Sequence, residues 1–163
     1  MKDGEKFENE QILQRSANYT SVDGWFLSIA VTLFTLMLTI KIELLSSWMI
    51  ATQLVLSICL WMGIIVSQAK IVNLESIKKY YALNKLSSGI AMAFTYNVIG
   101  LLIVKYVFFS TGLIFFAIFL FYNLYTLYGH IKARKKGKIF RDILIIAILV
   151  VGGILPSFGI FMF

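Results

Sequence analysis

Gln53, Ser57, Asn97 and Asn123 are polar side chains set within long uncharged stretches of the sequence. In hydrocarbon an amide without a partner costs several kcal/mol. Such residues therefore tie helices together or line a polar path. Gln53 and Ser57 are four apart and share one helical face. Asn97 and Asn123 lie at nearly equal depth if the chain turns between them at about residues 110–111. The expectation is a hydrogen bond between them or to a neighbouring subunit, or else a polar constriction. Thr32, Thr35 and Thr39 line one face of the first apolar stretch, where such hydroxyls bond back to their own helix.

Covalent and metal chemistry have little to draw on. The chain has one cysteine, Cys59, and one histidine, His130, so neither a disulfide nor a multi-histidine metal site is expected. Cys59 reads as a small apolar filler and His130 as an interfacial residue. HExxH, paired aspartates and a Ser/His pair are absent from the apolar stretches. No catalytic, cofactor-binding or metal-binding residue is assigned, and the expectation is a protein that is not an enzyme. An enzyme acting on lipid would have only Lys, Tyr and His130 as acid–base groups, with no spacing that selects a set. No Asp, Glu or Arg falls at the middle of an apolar stretch, which counts against proton pumps and voltage sensors.

The elements that hold these residues follow from composition. Of 163 residues, 60% are hydrophobic and 14% charged, against about 45–50% and 25% in soluble domains. A small soluble fold cannot hide that much apolar surface. The sequence predicts an all-α, polytopic helical membrane protein, with four to five transmembrane helices in a bundle. A cytoplasmic N-terminal segment, 1–23, precedes a single transmembrane domain, 24–163. Crossing about 30 Å of hydrocarbon takes about 20 helical residues, which places spans near 24–42, 47–69, 88–109, 113–131 and 143–163. Cytoplasmic loops then occupy 70–87 and 132–142. Ser110-Thr111-Gly112 supplies the third-to-fourth turn, with Lys105 snorkelling from the last turn of the third span. A short helix is expected over about 5–15, and Asp23 is placed to cap the first span. Residues 71–81 carry a helical apolar spacing that extends the second span or lies on the membrane. Gly152-Gly153 and Pro156 interrupt the last span, which is read as a kinked helix or as a broken element lining a cavity.

Charge sets the orientation. The net charge is +7, and of 15 Lys and Arg all but Lys41 and Lys105 fall on one side of this topology. That asymmetry predicts an N-terminus in the cytoplasm of a bacterial inner membrane. Topology thus accounts for the basic excess, and direct nucleic-acid binding is not expected. Lys78, Lys79, Lys132, Arg134, Lys135, Lys136, Lys138 and Arg141 are the candidate contacts for a soluble cytoplasmic protein or for anionic lipid. The expected function is a non-enzymatic membrane subunit that forms homo-oligomers and anchors or signals to that partner. This organisation fits a membrane sensor of a bacterial stress or defence system. The alternative is an oligomeric channel for ions or small solutes, with Gln53, Ser57, Asn97 and Asn123 at its wall. With Cys59 replaced, a cysteine at Lys135 should react with an impermeant maleimide only after cells are broken, whereas one at Lys41 should react in intact cells.

Overall fold

In a computed structural model, residues 3–40, 48–71 and 77–159 are described. They form five long helices and no strand: α1 (Asp3–Ile40), α2 (Trp48–Ile71), α3 (Ile77–Tyr106), α4 (Phe109–Lys132) and α5 (Lys136–Leu149). A π-helical turn, Val150–Ile154, and a last short turn, α6 (Leu155–Ser157), continue α5 without a gap. Each of the stretches Ser21–Thr39, Trp48–Gln68, Tyr80–Tyr106, Phe109–Lys132 and Lys136–Ser157 is long and apolar enough to cross a membrane. The fold is that of a multi-pass, all-α helical bundle.

α3 lies at the centre and packs against α1, α2, α4 and α5. Lipid tails are as apolar as leucine, so helices in a bilayer associate through close packing and hydrogen bonds instead of through hydrophobic burial. Both are visible. Ser57 on α2 meets Thr95 on α3 at 2.7 Å. Because the Thr95 hydroxyl donates to the Ala91 carbonyl at 2.9 Å, Ser57 is the donor to Thr95. Trp61 Nε1 donates to the same oxygen at 3.2 Å. Trp61 in turn stacks on Phe26 of α1, with centroids 5.3 Å apart.

Several boundaries differ from expectation. The N-terminal segment is not a separate short helix, because α1 runs unbroken for 38 residues. Asp23 consequently caps nothing; it sits inside α1 and points into the bundle. The turn between α3 and α4 falls at Val107 and Phe108, with Phe108 extended at φ −147° and ψ 138°. Ser110-Thr111-Gly112 instead forms the first turn of α4. Gly112 serves contact here: a Cβ on it would lie 2.2 Å from Val104 Cγ2 and 2.9 Å from Val104 N. Lys105 does fall in the last turn of α3. The expected loop at 132–142 shrinks to a turn at Ala133–Lys135, in which Arg134 takes a left-handed φ of 53°. Arg141 and Asp142 belong to α5. Thr35 and Thr39 bond back to Val31 and Thr35 as expected.

Substituting Gly112→Val should push α4 off α3. Such overpacking costs about 1–3 kcal/mol, read as a lower midpoint for thermal unfolding in detergent.

Candidate functional site

The polar side chains gather in two places, one at mid-bundle and one at the end that carries the basic turn. The mid-bundle group begins with Pro156. Proline has no N–H, so the carbonyl four residues before it, Gly152, loses its helical donor. The backbone responds with a π-turn over Val150–Ile154, in which the Leu155 N–H bonds to the Val150 carbonyl. Gln53 of α2 then supplies the missing donor: its Nε2 reaches the Gly152 carbonyl at 2.8 Å and its own Met49 carbonyl at 3.3 Å. Its Oε1 accepts from Asn97 Nδ2 of α3 at 2.7 Å, and the second Asn97 N–H goes to the Ile148 carbonyl at 2.9 Å. All four amide hydrogens of this pair are engaged, and three helices are joined.

The fit leaves no space for larger residues. A Cβ at Gly152 would lie 2.5 Å from Asn97 Nδ2, and one at Gly153 would lie 2.4 Å from the Phe116 ring. Gln53, Ser57 and Asn97 are all buried. The two sequence-derived alternatives for the last span thus resolve into a continuous helix with a π-turn, locked at its weak point by two amides.

Asn123 does not join them. With the turn at Val107 and Phe108, the α4 residue level with Asn97 is near Ile118, and Asn123 lies about 7 Å farther along the axis. Its Nδ2 bonds to the Phe119 carbonyl at 2.8 Å, and its side chain lines a different feature.

That feature is a cavity of about 370 Å³ among all five helices at the basic end. Its polar wall contains Asp23 of α1, Gln68 of α2, Asn84, Lys85 and Ser88 of α3, Asn123 and Thr126 of α4, and Arg141 and Asp142 of α5. Asp23 is 3% exposed. It accepts from Gln68 Nε2 at 2.6 Å and from the Ser88 hydroxyl at 3.4 Å, both neutral donors. Asp142, 2% exposed, has a charged partner in Arg141, with Nη2 at 2.8 Å and Nε at 3.1 Å, and His130 Nδ1 lies at 2.5 Å. Ser67 donates to Asn84 Oδ1 at 2.5 Å. Two polar atoms of this wall, Gln68 Oε1 and Asn84 Nδ2, are buried with no hydrogen-bond partner.

Among the expected surface contacts, Lys132, Arg134, Lys135 and Lys136 are exposed on the α4–α5 turn and Lys138 is half-buried. Arg141 is drawn inward by Asp142. Lys78 and Lys79 fall in the first turn of α3, and their side chains lie outside the described residues. Sequence reasoning selected Asn123 and Arg141 but missed Asp23, Gln68, Asn84, Lys85, Ser88 and Asp142 as a set. They stand at span ends, where polar residues read as loop or cap, and no spacing along the chain joins five helices.

No protein-family model, no curated protein and no solved structure matches this chain.

The Pro156–Gln53 relation is open to a double-mutant cycle. Gln53→Leu should destabilise the wild type by about 0.6–1.7 kcal/mol, the range of interhelical hydrogen bonds in membranes. In a Pro156→Ala background the restored N–H can serve the Gly152 carbonyl, so the same change should cost less, as measured by denaturation in mixed micelles.

Proposed function

We propose that the chain is a non-enzymatic, multi-pass membrane subunit that binds a soluble partner at its basic end and relays or anchors from there. One observation carries this reading. Helix α1 begins at Asp3 but its apolar span begins only at Ser21, so the helix rises about 27 Å before the span starts. Because Asp23 lines the cavity with Arg141 and Asp142, this extension emerges at the same end as the exposed cations Lys132, Arg134, Lys135 and Lys136. A helical stalk beside a basic turn offers a soluble protein both shape and charge. The gathering of cations supports placing this end, with the N-terminus, in the cytoplasm.

The permeation alternative has less to build on. Gln53, Ser57 and Asn97, its wall residues, bond to groups within the same chain. Asn123 lines the basic-end cavity, and Gln53 borders a second, almost wholly apolar hollow of about 360 Å³ beside Gly152, so the two do not share one polar path.

Full-length tagged protein, extracted in mild detergent after chemical crosslinking in cells, should carry a soluble partner in fixed ratio. Deleting residues 3–20, or changing Lys132, Arg134, Lys135 and Lys136 together to Gln, should lower that recovery at least about five-fold while membrane insertion and labelling topology stay unchanged. Recovery of the wild type without any partner, together with solute flux in vesicles, would overturn the proposal in favour of permeation.

A further inference from the structure

The basic-end cavity has features that partner docking does not use. Its volume, about 370 Å³, lies in the range of ligand sites, roughly 300–1,000 Å³. It is bordered by the first residues of one span and the last of another: Asp23 follows Ser21, where the α1 span begins, and Gln68 ends the α2 span. In a chain that crosses a bilayer by these spans, headgroups meet it at those ends. Gly89, Met92 and Ile145 give it an apolar floor, and Tyr122, which is exposed on α4, carries the cavity to the outer surface of the bundle.

The wall has two chemically different sides. On one, the Asp23 carboxylate is held only by the neutral donors Gln68 and Ser88, and the adjoining Gln68 Oε1 is buried without a donor. A carboxylate and an amide oxygen together call for a cation that can itself donate hydrogen bonds. On the other side, Arg141 uses Nε and Nη2 on Asp142, which leaves the N–H groups of its remaining nitrogen. The buried Asn84 Nδ2 has no acceptor, and Lys85, whose ammonium lies over the Tyr81 ring, adds positive charge at the cavity edge. The Arg141 and Asn84 donors call for an anion with several oxygens, such as a phosphate. Gln68 and Asn84 are 8% and 7% exposed, so each unpaired atom belongs to a side chain more than nine-tenths buried in the cavity wall.

We infer that this cavity binds a headgroup in which a primary ammonium is joined to a phosphate, presented by an aminophospholipid of the bilayer. The ammonium sits against Asp23 and Gln68 Oε1, the phosphate against Arg141, Lys85 and Asn84 Nδ2, and the acyl chains leave past Tyr122. The site stands whether or not a soluble partner docks at the same end.

The test uses full-length protein in lipid-free detergent, titrated with dihexanoyl phosphatidylethanolamine and followed by native mass spectrometry. Dihexanoyl phosphatidylcholine, whose quaternary ammonium has no N–H, and dihexanoyl phosphatidylglycerol, which lacks the cation, should bind about ten-fold or more weakly, the scale of one charge-assisted hydrogen bond. Asp23→Asn should lower the preference for phosphatidylethanolamine over phosphatidylglycerol. Lys85→Gln, at an exposed position of α3, should weaken both. Equal binding of the three lipids by the wild type, or unchanged binding by both variants, would overturn the site. Soluble phosphoethanolamine is the last arm. Binding as tight as the lipid's would keep the headgroup chemistry and overturn the bilayer as its source; binding much weaker than the lipid's supports that source.

Discussion

A carbonyl that loses its helical donor inside a bilayer must find another, because no water is there to take it. Pro156 creates that debt at Gly152, and the mid-bundle architecture is arranged around its settlement. The π-turn moves one backbone bond to Val150, Gln53 reaches across from α2 to Gly152, and Asn97 of α3 holds Gln53 while capping the Ile148 carbonyl. α5 is therefore fixed to α2 and α3 at the point where its own helix is weakest. Glycine at 152 and 153 is the condition for this: any side chain there would occupy the volume of the two amides or of the Phe116 ring.

The same physics divides the molecule into two regions. Away from the basic end helices meet closely, through contacts such as Gly112 against Val104 and through bonds such as Ser57–Thr95–Trp61. The polar groups there are nearly saturated; among the described residues, Asn97 Oδ1 is the one buried side-chain oxygen of that region left without a donor. At the basic end all five helices border one polar-walled cavity, and Gln68 Oε1 and Asn84 Nδ2 remain unpaired. A region built to hold helices together and a region built with unsatisfied groups have different uses. Asp142 shows the contrast within the second region, since the Arg141 guanidinium pairs with it, whereas Asp23 has only neutral donors.

The helical class, the presence of four to five apolar spans and the places where charge collects were legible from composition and from the spacing of charged residues. So was the weakness of the last span, since Gly152-Gly153 and Pro156 announce it. The turn before α4 was misplaced because Gly112 carries two meanings along a sequence, turn former or contact residue, and only the position of Val104 decides between them. That shift of a few residues removed the Asn97–Asn123 pairing, because depth along a helix changes by about 1.5 Å per residue. Asp23 and Asp142 were read as cap and loop for the same reason: a polar residue near a span end has a local explanation that suffices until its neighbours on other helices are known.

By itself, then, the sequence determined that this is an all-α chain with four to five stretches fit to cross a membrane and with its cations clustered between them. Those properties are sums over local stretches, and hydropathy and charge are carried residue by residue. Only the tertiary structure decided that Gln53 and Asn97 serve a carbonyl freed by Pro156, and that Asp23, Gln68, Asn84, Arg141 and Asp142 share one cavity. Partnership across five helices depends on rotation and register, and a shift of one residue turns a helical side chain by about 100°.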